Sequence, residues 1–205
     1  MSKPLQLYWA PSSPFVRIIM VAAHELGVVD RIETIEATVE NIVDLVSPVN
    51  PLGQIPTLVT GDGQAIYDSA NIVQWLDETF DGSLCGRGTS ARWTIAARLI
   101  VATGLMDAAV AGRHLALQPD GHRPDSFIAR LTARRNRAVA HLDATLDPSV
   151  GQGDAALTAD AIATCCALGY LDFRYPENDW RSSHPALADW FAAVSTRPSV
   201  AATVP

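Results

Sequence analysis

Three short segments in the first part of the sequence combine residue types that suit the binding of a small charged molecule. The first, residues 12–17, reads SSPFVR. Proline favours the first position of a helix and serine the position just before it, which predicts Ser13 as an N-cap. A helix N-terminus carries unpaired N–H groups and about half a positive charge. A thiolate placed there would be stabilised by the dipole and by a hydrogen bond from the Ser13 hydroxyl, and helix N-termini lower thiol pKa values.

A plainer interpretation of this first segment stays open. Serines that cap helices are common, and Ser13 would then hold its own helix without binding a ligand. The neighbouring Ser12 is a second candidate for the contact with the anion.

The second segment, residues 50–58, reads NPLGQIPTL. Pro56 falls just inside a predicted strand, where it cannot donate to the sheet. A cis bond between Ile55 and Pro56 would supply a bend there, and the N–H and C=O of Ile55 could then pair with an extended, peptide-like ligand. The alternative is an ordinary trans proline at the start of a strand, which the sequence by itself favours.

The third segment, residues 67–71, reads YDSAN. Ser69 is predicted as the N-cap of the next helix. A ligand carboxylate could bind the N–H groups of that helix while Asp68 binds a ligand ammonium, as the two charges of an amino-acid end require. The alternative is plain capping, with Asp68 supporting the helix dipole.

Strands and helices alternate around these segments. The chain order is strand, helix, strand, irregular segment, hairpin and helix, with strands at residues 5–9 and 31–36 and a hairpin over 55–67. The first helix has apolar residues at helical spacing and ends at Gly27. These apolar residues are Phe15, Ile18, Ile19, Ala22, Ala23 and Leu26.

After a Gly- and Ser-containing linker at residues 81–90, nearly all of the chain has helical periodicity. The first apolar stripe consists of Trp93, Ala96, Ala97, Ile100, Val101, Gly104 and Ala108. A small α/β domain followed by an all-helical domain is therefore predicted. Three features of the helical half are interpreted as structural. The adjacent Cys165 and Cys166 are predicted to be buried thiols, and Thr158 is predicted to be a helix N-cap. The arginines Arg134, Arg135 and Arg137 are predicted to form a solvated helix face.

Composition excludes several classes of function. The net charge of −7, without a long basic run, argues against nucleic-acid binding. The N-terminus is too short and polar for a signal peptide, and no uninterrupted apolar run is long enough to span a membrane. Three cysteines without a CxxC motif suit a reducing cytoplasm, and the five histidines lack metal-ligand spacing.

The order and spacing of the three segments resemble the cytosolic glutathione transferase superfamily over essentially the whole chain. SPFVR is similar to serine-type bacterial members and, more loosely, to the zeta and omega classes. Omega-type proteins carry cysteine where this chain has Ser13, so the resemblance favours a transferase over a thiol–disulfide exchanger. It implies a thioredoxin-like domain at residues 1–80, a linker at 81–90 and an all-helical domain at 91–205.

The resemblance also implies roles for individual residues. Ser13 would activate the thiol of glutathione, the co-substrate, and no metal would be needed. Gln54 and the backbone of Ile55 would hold the glutathione backbone, and Pro56 would be a cis-proline. Asp68 and Ser69 would bind the γ-glutamyl end. The protein is expected to be a homodimer.

One departure from the family pattern lies in the helical half. Family members carry a Ser/Thr-x-x-Asp capping box at the start of the buried central helix. Here Thr158 fits the cap, but Ala161 occupies the fourth position and Asp160 stands one residue early. Half of the reciprocal box is missing, so we expect a folding cost and infer nothing about catalysis.

The expected reaction joins glutathione to an electrophilic carbon of a hydrophobic compound. Its pocket is expected between the two domains, with walls from Trp9, Phe15, Met106, Tyr170 and Phe173. Two alternatives stay open. One is a glutathione-dependent isomerase or dehalogenase, and the other is a non-catalytic binding protein of the same fold.

Overall fold

The computed structural model describes residues 4–119, 122, 124–153 and 155–205. It divides into two compact units. The first consists of the described residues up to Thr89 together with Arg197–Pro205, and the second is Ser90–Thr196. The expected boundaries kept residues 91–205 together, whereas Arg197–Pro205, named the returning segment below, packs with the first unit.

The first unit is built on a mixed four-stranded sheet, with its strands in the order β2-β1-β3-β4. The β1–β2 pair is parallel, and the β1–β3 and β3–β4 pairs are antiparallel. The strands are β1 Leu5–Trp9, β2 Ile32–Glu36, β3 Thr57–Val59 and β4 Ala65–Tyr67. A strand-containing first half with a hairpin is therefore confirmed.

Three helices accompany this sheet: α1 Pro14–Glu25, α2 Ile42–Val46 and α3 Ser69–Thr79. Helix α1 packs against α3 and ends where predicted, because Gly27 adopts a φ of 66° that suits glycine best. Its core side chains include Val16, Ile18 and Ile19, all nearly or fully buried.

The pairing register brings the end of β1, the start of β3 and the end of β4 together at one end of the sheet. Tyr8, near the end of β1, pairs with Thr57 at the start of β3. Thr57 pairs in turn with Tyr67, the last residue of β4. The loop before α1, the segment before β3 and the start of α3 therefore leave the sheet side by side.

The second unit is helical. Its helices are α4 Arg92–Ala116, α5 Asp125–Thr145, α6 Ala159–Arg174, α7 Trp180–Ser183 and α8 Pro185–Ser195. Helix α4 packs against both α5 and α6. It is long and apolar enough to cross a membrane by those two criteria alone, which the core helix of a bundle also satisfies. The mostly buried α6 contains Cys165 and Cys166, which are each 1% exposed, as predicted.

The apolar stripe predicted for α4 does not coincide with the face that the helix buries, although its last member, Ala108, is 0% exposed. Trp93 and Ile100 are 76% and 61% exposed. The helix instead buries a neighbouring face, comprising Ile95, Leu99, Ala102, Leu105, Met106, Ala108 and Ala109. Both faces are apolar, so periodicity alone does not identify the one that meets the core.

The returning segment carries a last short helix, α9 Pro198–Ala201, which packs against α1. An ion pair fixes its start, with Arg197 Nη2 lying 2.9 Å from Glu25 Oε2. The hydroxyl of Ser199 donates to the same carboxylate. The segment is thus tied to the last residue of α1.

Candidate functional site

Ser13 is the N-cap of α1, as predicted, and Pro14 occupies the first helical position. The Ser13 Oγ accepts a hydrogen bond from the Val16 N–H at 3.4 Å, which is long for this kind of bond. Ser13 is half-buried. Among the described residues its hydroxyl proton has no acceptor and the Phe15 N–H no partner. The helix start therefore keeps free donors for an anion.

Ser12 is placed differently. It lies exposed in the turn before α1 and forms no hydrogen bond within the described part of the chain. Its side chain does not cap the helix. The geometry consequently favours Ser13 as the residue at the positive helix end.

The Ile55–Pro56 peptide bond is cis, as the resemblance implies. Pro56 is buried, Ile55 is half-buried and Gln54 is exposed. Among the described residues, neither the amide nor the carbonyl of Ile55 forms a hydrogen bond. A peptide-like ligand therefore finds both groups unused at the edge of the sheet.

Sequence reasoning missed Asn50, which supports this segment from within. The side chain is only 1% exposed. Its Nδ2 donates to the Gln54 carbonyl at 3.1 Å and to Thr57 Oγ1 at 2.9 Å, and its Oδ1 accepts from the Leu52 N–H at 3.0 Å. An asparagine followed by proline signals a turn, but the sequence does not reveal its contact with Thr57. Asn50 thus holds both ends of the loop that carries Gln54 and Ile55.

The predicted cap of α3 needs correction. The N-cap is Asp68, whose Oδ1 accepts from the Ala70 N–H at 2.8 Å, while Ser69 is the first helical residue and is 3% exposed. Asp68 has φ 72° and ψ 132°, a strained conformation for a residue with a side chain. Aspartate tolerates positive φ better than most residues, and this turn places its carboxylate over the helix end.

The start of α3 can hold opposite charges close together. Asp68 is exposed, and only one of its carboxylate oxygens is used in the cap. The amides of Ser69 and Asn71 have no acceptor among the described residues. A ligand ammonium can therefore bind the carboxylate while a ligand carboxylate binds the free amides.

The paired residues Tyr8, Thr57 and Tyr67 set the distance between the start of α1, the segment before β3 and the start of α3. Three adjacent strands span about 10 Å. An extended tripeptide spans about the same length. The edge of the sheet therefore presents a hydroxyl at a helix end, an unpaired backbone segment and a charged helix cap within the reach of one tripeptide.

The expected pocket walls are in different environments. Trp9 and Phe15 are half-buried in the first unit. In the second unit Met106 is 0% exposed, so its side chain belongs to the core rather than to an open pocket. Tyr170 is 6% exposed, and burial raises the pKa of its hydroxyl above the ordinary value. Phe173 is 45% exposed and stacks with the Arg174 guanidinium.

A groove of about 660 Å³ lies between α4 and α5 in the second unit. None of the expected pocket residues lines it. Its lining is Asp107, Ala111, Phe127, Arg130, Leu131, Arg134 and Arg137. Arg135, expected to be solvated with its neighbours, is 8% exposed and lies over the Tyr175 ring at 4.1 Å. Across the described ranges, no cluster of three histidine, cysteine, aspartate or glutamate side chains could hold a metal ion.

Comparisons with known proteins agree with this arrangement. The family model "Glutathione S-transferase, N-terminal domain" matches residues 12–79, and "Glutathione S-transferase, C-terminal domain" matches residues 125–193. A glutathione transferase family member from Pseudomonas fluorescens Pf-5, solved with bound glutathione, is 37% identical, with 98% of each chain covered and a TM-score of 0.90. The chain belongs to the glutathione transferase family.

Two further relatives support the assignment. A glutathione transferase of Methylobacillus flagellatus KT, solved with glutathione bound, is 31% identical, with 98% of this chain and 99% of that chain covered and a TM-score of 0.85. An uncharacterised GST-like protein of Escherichia coli K12, YibF, is 27% identical over 202 residues, with 98% of each chain covered. The glutathione transferase fold, a thioredoxin-like α/β domain followed by a helical domain, is therefore confirmed.

Proposed function

We propose that this chain is a serine-type glutathione transferase that joins the sulfur of glutathione to an electrophilic carbon of a hydrophobic compound. The register that aligns Tyr8, Thr57 and Tyr67 carries the proposal, because it gathers the three ligand-binding segments at one edge. Solved relatives that bind glutathione support it, and one relative is solved with S-(propanoic acid)-glutathione, a conjugate at the sulfur.

Ser13 carries the chemical step. Its hydroxyl donates to the glutathione sulfur, and the free N–H groups of α1 add the positive field of the helix end. Both favour the thiolate over the thiol, so the thiol proton is lost to water. The pKa of the thiol is then lower in bound glutathione than in free glutathione.

The peptide part of glutathione binds as an added strand. The Ile55 amide and carbonyl, which have no partner among the described residues, pair with its backbone, and the exposed Gln54 side chain contributes a further polar contact. Pro56 shapes this segment, and Asn50 keeps it in place.

The γ-glutamyl end binds the start of α3. Asp68 pairs with its ammonium, and the amide of Ser69 donates to its carboxylate. With the peptide fixed at two points, the sulfur is held at Ser13. Positioning of this kind removes much of the entropic barrier to a reaction between two molecules.

The transfer step balances without a further reagent. The thiolate lone pair forms a carbon–sulfur bond, and the leaving group departs with the electron pair of the bond that breaks. For an acceptor with an activated double bond, the electron pair moves into the acceptor, which then takes a proton from water. No metal takes part, and the cytoplasm, where glutathione is kept reduced, is the proposed location.

The test measures conjugation of glutathione to a generic aryl halide. We expect Ser13→Ala to lower kcat/KM about 100-fold, because one preorganised hydrogen bond to the developing charge is lost. The matched control is Ser12→Ala, which removes the adjacent exposed hydroxyl and should change the rate less than about twofold. Equal rates for Ser13→Ala and the wild type would remove Ser13 from the mechanism.

The same assay separates the other functions. Consumption of glutathione in proportion to product supports the transferase. Turnover with glutathione regenerated would identify an isomerase or a dehalogenase that releases glutathione again. Binding of glutathione without turnover of any electrophile would identify a binding protein.

We also propose that the protein is a homodimer. Trp93 and Ile100 expose large apolar surfaces on one face of α4, with the exposed Ala97 between them. Apolar patches of this kind are typical of interfaces. Analytical ultracentrifugation should give twice the chain mass for the wild type and a monomer for Trp93→Glu. A wild-type monomer at high concentration would contradict the proposal.

A further inference from the structure

Arg17 of α1 is a buried cation with neutral partners. Its side chain is only 8% exposed. The guanidinium donates from Nε to Thr203 Oγ1 at 3.4 Å and from Nη2 to the Val200 carbonyl at 3.3 Å. No carboxylate of the described residues pairs with it. A buried charge without a counter-charge is costly, so its presence calls for a physical reason.

Arg17 lies one helical turn after Ser13. Its backbone N–H donates to the Ser13 carbonyl at 3.1 Å. The Cα–Cβ bond of a helical residue tilts toward the helix N-terminus, so we expect the positive charge of Arg17 to act on the first turn of α1. A positive charge there opposes the helix dipole, so Arg17 does not stabilise α1 as a helix. It does add positive potential at the helix end where the thiolate is proposed to bind.

The returning segment holds Arg17 in this position. Arg197 and Ser199 are tied to Glu25, the last residue of α1, while Val200 and Thr203 contact Arg17 near its start. The segment therefore runs along α1 in the opposite direction. Its two neutral acceptors orient the guanidinium without cancelling its charge.

Other charged side chains on α1 and on the elements packed against it are His24, Glu25, Asp30, Arg31, Asp77, Glu78 and Arg197. Glu25 forms an ion pair with Arg197. The carboxylate of the buried Asp77 accepts hydrogen bonds from the backbone amides of Leu84 and Cys85. None of them forms an ion pair with Arg17 in the part of the chain that the structure describes.

We propose that Arg17, held by the returning segment, is an electrostatic positioning residue that lowers the pKa of the glutathione thiol at Ser13. This inference rests on the proposed function. Arg17 touches neither reactant, and it acts through the potential at the start of α1. A residue beyond the helical unit, Thr203, thereby becomes part of the machinery that ionises the thiol.

The test titrates the thiolate of bound glutathione by its ultraviolet absorbance, with affinity measured separately by calorimetry. We expect Arg17→Gln to raise the thiol pKa by about one unit, which lowers the thiolate fraction up to about tenfold at pH values below the pKa. Arg17→Lys retains the charge and should stay within about half a unit of the wild type.

Two further variants complete the experiment. Arg31→Gln removes an exposed positive charge from the same unit and should shift the pKa by less than about 0.2 unit, since solvent screens it. Thr203→Val keeps the charge of Arg17 but removes one of its two acceptors, and should raise the thiol pKa by a few tenths of a unit. If Arg17→Gln does not fold, the thiol pKa measured with Thr203→Val tests the proposal instead.

An unchanged thiol pKa in a folded, glutathione-binding Arg17→Gln would overturn the inference. So would equal shifts in the Gln and Lys variants, since the role would then be one of packing rather than charge. If Arg17→Gln does not fold, an unchanged pKa in Thr203→Val has the same meaning. Ser13→Ala distinguishes this failure from a wider one, because an unchanged thiol pKa in Ser13→Ala contradicts the proposed function itself.

Discussion

The N-cap residues of α1 and α6 both carry a hydroxyl, yet the two helix N-termini differ in how their positive charge is balanced. Ser13 caps α1 with a long bond to Val16 and leaves its own proton without an acceptor among the described residues. Thr158 stands at the same position of α6, but its hydroxyl makes no capping bond. The anion in the first turn of α6 is internal, since Asp160 is 0% exposed there.

The N-termini of α1 and α6 differ in the source of the opposite charge. At α6 the chain provides both signs, because Arg98 donates from Nε to Asp160 and from Nη1 to the Thr145 carbonyl at 2.8 Å. At α1 the chain provides the donors and the positive Arg17, and the proposed function assigns the anion to a ligand. A helix end whose charge is neutralised from within supports the fold, whereas one left unbalanced is available for binding.

The largest expected effect comes from breaking the internal pair. Arg98→Met leaves Asp160 buried and unpaired, and should lower the free energy of unfolding by about 3–5 kcal/mol. Denaturant titration measures this loss. The control is Arg134→Met, which removes the exposed ion pair between Arg134 Nη2 and Asp107 Oδ2, 3.9 Å apart. This variant should lower the free energy of unfolding by less than about 1 kcal/mol. Similar small losses in both variants would show that α6 does not need its counter-charge.

A smaller effect is expected at the open start of α3. Asp68→Asn keeps the cap and the tolerance of positive φ but removes the charge, so stability should change by less than about 1 kcal/mol. Glutathione affinity should fall about tenfold, because the ammonium loses its ionic partner. Calorimetry compares it with Asp62→Asn, which removes an exposed charge from the same unit. Equal affinities would separate Asp68 from the ligand.

The smallest effect is expected at Thr158. Its hydroxyl oxygen is buried without a partner among the described residues, so Thr158→Val should be neutral or stabilise the protein by up to about 1 kcal/mol. A working N-cap would instead cost about 1 kcal/mol when lost. A loss of that size in thermal or denaturant unfolding would mean that Thr158 caps α6 in solution.

Local features were predictable and distant partners were not. Ser13 and Pro14 fix the start of α1 by themselves, so the sequence predicted that cap. At α3 two neighbouring residues can both cap, and only the backbone conformation at Asp68 decides between them. Arg98 stands 62 residues before Asp160 in the chain, a separation at which the sequence offers no pairing signal.

The other differences between sequence and structure have the same physical origin. Helix α4 has two apolar faces, and the choice between them depends on α5 and α6 rather than on α4 itself. The contact of Arg17 with Val200 likewise joins parts of the chain that are 183 residues apart. Asn50 and Thr57 are only seven residues apart, but their hydrogen bond depends on the conformation of the loop between them. The candidate site was therefore predictable as three local motifs, while the residues that brace it became visible only in three dimensions.

The sequence separation between Glu25 and Arg197, 172 residues, has a consequence for biosynthesis. The ribosome releases the strands and helices of the sheet-containing unit first, but the residues that fasten α1 emerge only after the whole helical unit has been made. Domains generally form in order of synthesis. Here the last segment of the first unit is synthesised after the second unit, so a nascent chain stalled before Arg197 exposes the surface of α1 that α9 covers in the finished protein.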